Sequence, residues 1–309
     1  MTTLVVGTGL VGAHIVRALL ERGEAPIGLD RAPADDNVSD LRGRFVLIEG
    51  DVLNLSLLIE AIRTHAVDRI INTVALVGPA AEASMYEAFR TNVVGAVNVL
   101  EAARLSGVRR VVFYSSNAIF DPAPTAGRFD EEAPKKPAGM NGAAKLSVEH
   151  VGEIYAGAHG LEFVSLRTGG IYGAGRSSGG VPQQLRECAA AIVAGRPYTF
   201  EKYVYLGRTD LLEARDAAAA GILACDLREC PGLTYNIGNG EAFSYEELAE
   251  EIRVLFPRAE IGIRESARMP VRVGERAMDA SRAAKELGFH ATRSFAQGFP
   301  ELVDWVRRR

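Results

Sequence analysis

Short apolar runs alternate, through the first half of the chain, with stretches in which apolar residues recur every three or four positions. The runs at Leu4–Val6, Ile27–Asp30, Phe45–Glu49, Arg69–Thr73, Val111–Ser115 and Phe163–Leu166 predict strands. After the first, Val11, Ile15 and Leu19 fall four apart on one helical face that Gly23 ends, and Val93, Val97 and Leu100 repeat the pattern ahead of Gly107. Apolar strands joined by amphipathic helices predict an α/β fold, a doubly wound parallel sheet covered on both faces. The pattern loosens after about Gly169. Gly173–Gly180 carries four glycines and predicts a loop, Gln183–Ala194 predicts a helix, and Ser244 with Glu247 predicts a capping box that opens a helix through Leu255. This half reads as a smaller C-terminal substrate-binding lobe (169–309) over the strand ends of a first domain (1–168), to which a segment near 205–238 returns.

Composition narrows the function classes. A chain of 309 residues exceeds what one core usually supports, which suits two lobes. A net charge of −4 gives no general attraction to nucleic acid or to an anionic membrane. Cys188, Cys225 and Cys230 include no C-x-x-C pair, and the five histidines no H-x-x-x-H pair, so neither a disulfide framework nor a metal site is expected. The small-apolar stretch Ala217–Cys225 is far too short to span a bilayer. With no basic leader before the first strand, the expected location is cytoplasmic.

Gly7-Thr8-Gly9-Leu10-Val11-Gly12 follows a strand and opens a helix. Glycines let the chain turn tightly and bring its backbone against a pyrophosphate, while the helix N-terminus supplies N–H donors and partial positive charge. Asp30 ends the second strand, where a carboxylate suits a ribose 2′-hydroxyl. That charge would repel a 2′-phosphate, which favours NAD over NADP; Arg31 beside it is the residue that could reverse the preference.

With these features the chain resembles the extended short-chain dehydrogenase/reductase family, in its NAD-dependent epimerase/dehydratase branch. The resemblance rests on the glycine loop, Gly50-Asp51-Val52, Thr91-Asn92-Val93-Val94-Gly95, Tyr114-Ser115-Ser116, Lys145-Leu146-Ser147-Val148-Glu149, Leu166-Arg167, Ile171-Tyr172-Gly173, Tyr235-Asn236-Ile237-Gly238 and Lys285-Glu286-Leu287-Gly288-Phe289. It implies a Rossmann-like sheet that binds NAD. Asp51 and Val52 would contact the adenine, Asn72, Thr73, Val74 and Ala75 would run along the cofactor, Asn92 would lie nearby, and Lys145 would hold the nicotinamide ribose. Ser116 would hydrogen-bond the reacting substrate oxygen, with Asn117 beside it. It also implies a homodimer built on helices Asn92–Arg104 and Gly142–Ala156, although Val93, Val97, Leu100, Leu146 and Val151 would serve equally as internal packing.

Three departures matter. The first glycine of the family loop falls at Val6. The family's Tyr-x-x-x-Lys, which puts both side chains on one helical face, has Asn141 at the tyrosine position. An amide has no usable protonation equilibrium near neutral pH, and general acid–base help is worth ~10²–10⁴-fold in rate. Asn141 is therefore read in three ways: an engineered replacement, a natural one with Tyr172, Tyr114 or a substrate group moving the proton, or the mark of a protein that binds NAD without redox chemistry. The asparagine that nucleotide-sugar members use on the substrate diphosphate is replaced by Gly170, which favours a smaller hydroxylated or acidic substrate. Arg176, Arg208, Arg268 and Arg272 could grip a carboxylate or phosphate. The reading is hydride transfer on a sugar-like substrate; nucleotide-sugar epimerisation or dehydration, non-redox lyase chemistry and an NAD sensor are the rivals.

Overall fold

The computed structural model describes residues 1–33, 35–78, 81, 83–121, 128–175, 179–202, 208–229, 234–265 and 277–309. Each predicted run forms a strand: β1 (Thr3–Val6), β2 (Ile27–Asp30), β3 (Val46–Glu49), β4 (Arg69–Asn72), β5 (Arg110–Ser116) and β6 (Glu162–Thr168). They pair in the order β6-β5-β4-β1-β2-β3, all parallel. Successive residues bury on opposite faces. Val5, Ile71, Val112 and Val164 pack toward one side with helix α1 (Leu10–Glu21), and Leu4, Ile70, Val111 and Phe163 pack toward the other. That second face is covered by α2 (Leu55–Thr64), α3 (Gly95–Ser106) and α4 (Met140–His159). Burial on both faces is why β1, β2, β4, β5 and β6 read as apolar runs, whereas β3, at the sheet edge, is largely exposed.

The later chain builds the smaller lobe and then returns. β7 (Gly170–Tyr172), helix α5 (Gly180–Val193), β8 (Tyr198–Lys202) and β9 (Thr209–Glu213) precede helix α6 (Ala214–Asp226), which packs on α1. β10 (Thr234–Ile237) adds a seventh parallel strand beside β6. β11 (Ala242–Phe243) and β12 (Ile261–Glu265) then complete the small sheets β11-β9-β7 and β12-β8. Ser244 caps α7 (Tyr245–Leu255) through the expected capping box. Helix α8 (Ser281–Leu287) sends Ala283 and Leu287 back into the first lobe's core, whereas α9 (Phe295–Arg307) packs Phe295, Phe299 and Leu302 into the second.

The sheet edge away from the glycine loop is fastened by buried charge. Arg110 donates to the Ala224 and Cys225 carbonyls at 2.9 Å each, satisfying acceptors in the last turn of α6, and pairs with Glu162. Arg69 bridges Asp226 and Glu24. No helix among the described residues is long and apolar enough to cross a membrane.

Candidate active site

The chain leaves β1 at Gly7, whose φ of +90° lies in the region that favours glycine. A Cβ on Gly12 would stand 1.8 Å from the Gly7 carbonyl oxygen, so α1 can start this close to the strand end only with glycine there. Gly9 differs: a Cβ would meet nothing within 4 Å, and the residue is exposed. It is the open side of the cradle, where backbone can approach a diphosphate at the helix N-terminus. Leu10 and Val11 continue the rim, half-buried. Val6 is fully buried in register with Asn72, so the strand simply runs up to the turn.

Asp30 holds this loop as well as facing it. One carboxylate oxygen accepts the Thr8 N–H at 2.6 Å and its hydroxyl at 3.2 Å, and the other accepts the Ala32 N–H at 3.0 Å. A carboxylate fixed here opposes a 2′-phosphate. Arg31 leans toward Asp51, at 3.6 Å, and Asp51 accepts the Leu53 N–H. Val52 is buried against Gly95, in the core rather than at the cleft. Thr73 donates its hydroxyl to the Gly7 carbonyl at 2.8 Å, and the Val74 N–H bonds Asn72, so Thr73, Val74 and Ala75 lie across the loop. Asn92 sits on a π-helical turn (Arg90–Val94); its carboxamide accepts from the Leu76 N–H at 2.7 Å and donates to the Leu76 carbonyl at 2.9 Å. Both ends of the Asn92 amide thus clamp the chain after β4.

Ser116, Asn141 and Lys145 come together because the first turn of α4 meets the end of β5. A Cβ on Gly142 would lie 2.0 Å from the Ala118 carbonyl oxygen, so glycine allows backbone-to-backbone contact here. Ser116 Oγ accepts the Ala118 N–H at 3.1 Å, which leaves its own proton available to a substrate oxygen. Asn117, next to it, is buried. Lys145 is buried, donates to the Tyr114 carbonyl at 2.6 Å and lies 4.5 Å from the centre of the Phe113 ring. Burial pulls its ammonium down to about 7, opposed by the negative charge of Glu149 one turn on. Asn141 Oδ1 is buried with no hydrogen-bond partner among the described residues.

Neither nearby tyrosine replaces the phenol. Tyr114 points its hydroxyl off the sheet and onto helix α6, at the Ala217 carbonyl 2.6 Å away, and burial pushes its ionisation far up. Tyr172, expected to touch substrate, is 1% exposed, stacks beside Phe295 and turns its hydroxyl toward Ser294 in the smaller lobe's core, which corrects that expectation. Gly170 begins β7 opposite Leu211, with Pro182 packed close by. Arg208 is taken by Glu247 and the Ala242 carbonyl. Arg176, Arg268 and Arg272 lie outside the described residues. The described residues contain no cluster of three or more His, Cys, Asp or Glu able to hold a metal. His14, which burial holds down to about 4, instead meets the Ala174 carbonyl at 2.9 Å and ties α1 to the chain leaving β7.

Thr8 and Gly142, which lock the loop and dock the helix, were not given a role by sequence reasoning. Nor was Glu149, which binds Arg167 at 2.8 and 3.0 Å and accepts the Ser165 hydroxyl. Its signal was available: Asn141, Lys145 and Glu149 repeat every four residues on one face of α4.

These features agree with what the chain resembles. The model of the NAD dependent epimerase/dehydratase family matches residues 3–238. A UDP-glucose 4-epimerase of Halalkalibacterium halodurans is 30% identical over 80% of this chain and 78% of its own length. A dTDP-glucose 4,6-dehydratase of Xanthomonas campestris pv. campestris is 28% identical over 98% of this chain and 92% of its own. The crystal structure of the Thermus thermophilus UDP-glucose 4-epimerase complex with NAD superposes with a TM-score of 0.85 at 26% identity, covering 99% of each chain. With the family's model matched over most of its length, the chain belongs to the NAD-dependent epimerase/dehydratase family.

Proposed function

We propose that the protein is an NAD-dependent enzyme that oxidises a carbinol of a sugar substrate, with nucleotide sugars as the substrate class, and that it works as a homodimer. The observation that carries the reading is the joint placement of Ser116 and Lys145 by the Gly142–Ala118 contact, beside a glycine loop locked to Asp30 and Thr73. Bound NAD would supply a hydride acceptor at the substrate carbon. The backbone around Gly9 would take the diphosphate, Asp30 the adenosine ribose and Lys145 the nicotinamide ribose, while Ser116 would orient the substrate oxygen. The substrate class follows from the relatives' activities on UDP-glucose and dTDP-glucose.

Calorimetric titration with NAD, then with UDP-glucose, tests this. Gly9→Glu is expected to fold normally, because its Cβ enters open space, yet to weaken NAD at least about tenfold by putting a carboxylate where the diphosphate sits. Unchanged NAD affinity in that variant would remove the loop from the site. Tighter binding of NADP than NAD would overturn the role given to Asp30.

The dimer reading is supported by exposed apolar side chains rather than by the residues first considered. Val93 and Leu100 are buried in the core of this chain. Tyr86 and Phe89, on the short helix Met85–Phe89 that packs on α4, are 71% and 45% exposed, and Ile154 on α4 is 64% exposed. Apolar surface grouped in this way fits a partner. Ile154→Glu is expected to convert a dimer to a monomer by light scattering; a mass unchanged by it would place any interface elsewhere.

A further inference from the structure

The site lacks the tyrosine that would take the substrate proton, and both nearby phenols are sequestered in the core. Two groups remain beside Ser116: a buried amine and a buried, unpartnered amide oxygen, one helical turn apart on the same face of α4. Asparagine is shorter than tyrosine by most of a ring, so a water fits between this amide and a substrate oxygen. An amide oxygen left unpaired in the interior is destabilising, and a water donating to it removes that cost. We propose that Lys145, as the free amine, is the proton acceptor for the substrate hydroxyl, acting through a water held on Asn141 Oδ1.

The proposal rests on the functional reading above and deepens it. The step balances within the site: the substrate O–H bond breaks, its proton passes to the water, and a water proton passes to the amine, which becomes an ammonium. The carbinol is oxidised to a carbonyl as its C–H electron pair leaves in the hydride that NAD takes. Ser116 holds the oxygen throughout.

The surroundings of Lys145 suit an amine that changes charge. From β5 it faces the Phe113 ring and donates to the Tyr114 carbonyl. On its own helix Glu149 favours the ammonium, but that carboxylate is bound by Arg167 and Ser165 of β6, which moderates its pull. On the neighbouring π-helical turn Arg90 is paired with Glu87, and on α3 Glu101 and Arg104 pair with each other, further along α4. The shift of the ammonium to about 7 accords with this setting.

The test uses the NAD-loaded protein labelled with 13Cε-lysine, and UDP-glucose as the probe. A lysine signal missing from Lys145→Arg is expected to titrate with a midpoint near 7. NADH absorbance after mixing with UDP-glucose should rise with pH through the same midpoint, since the amine form accepts the proton. At saturating NAD it should fall at least about 10²-fold in Lys145→Arg, which keeps the charge but cannot act as a base. Asn141→Leu, which removes the oxygen that holds the water, should lower the rate while leaving the lysine titration in place. A lysine signal that titrates only at the ordinary alkaline value, or an undiminished rate in either variant, overturns the proposal. Asn141→Tyr separates it from the reading beneath it. If the tyrosine variant oxidises UDP-glucose and the Asn141 protein does so at no pH, the lysine relay falls and the oxidoreductase reading stands. If neither oxidises it while NAD binds, both fall.

Discussion

Asn141→Tyr is expected to raise NAD-linked turnover of UDP-glucose by about 10²-fold, the lower end of what a positioned proton-transfer group supplies. The gain arises because a phenol at this position reaches the substrate oxygen directly, where the wild-type side chain can only accept and donate hydrogen bonds. The machinery around it already stands in place: Ser116 has its hydroxyl proton free, and Lys145 is fixed one turn along the helix by the Tyr114 carbonyl. NAD affinity should not change, because residue 141 takes no part in the glycine cradle. Stopped-flow measurement of NADH formation separates the outcomes. A tyrosine variant no faster than its parent, with NAD bound equally well, would show that a phenol at position 141 adds nothing to the proton transfer already available in the parent.

Glu149→Ala is expected to destabilise the fold by about 3–5 kcal/mol, the usual consequence of removing one partner from a buried ion pair. Arg167 and Glu149 are 3% and 1% exposed at their side chains. Three hydrogen bonds, at 2.8, 3.0 and 3.3 Å, hold the guanidinium to the carboxylate. Alanine leaves the guanidinium inside the protein with only the Glu131 carbonyl as a hydrogen-bond acceptor among the described residues, and leaves the Ser165 hydroxyl without its acceptor. Urea unfolding followed by circular dichroism measures the loss. A shift under 1 kcal/mol, on the order of an exposed pair, would mean that water reaches Arg167 and that the pair is not buried in solution.

What could be read from residues alone was whatever a local demand imposes. Runs such as Thr3–Val6 and Ile27–Asp30 are apolar because both faces of the strand are covered, so their pattern announces a parallel sheet without any knowledge of partners. The glycine spacing is imposed by one turn and one close approach, both within six residues. Contacts between distant segments were not legible in this way. Strand β6 runs on to Thr168, past the predicted Leu166, because Arg167 reads as a surface residue until Glu149 is found beside it. The burial of Tyr172 depends on α9, more than a hundred residues later, so its motif alone could suggest only a ligand contact. Asn92 and Val52 were placed at the cofactor by resemblance. The first also bonds Leu76 and the second packs against Gly95, pairings that no spacing rule encodes. Helical periodicity fixes that residue 141 precedes Lys145 by one turn, while the tyrosine expected there comes from resemblance alone.

The contact between Gly142 and Ala118 separates the fate of residue 141 from the integrity of the fold. The helix is seated by main chain on main chain, so the side chain just ahead of that junction can be exchanged without unseating its neighbours. Chemistry at this point is therefore modular: a lineage can drop one reactive group and acquire another while the stage beneath it stays assembled.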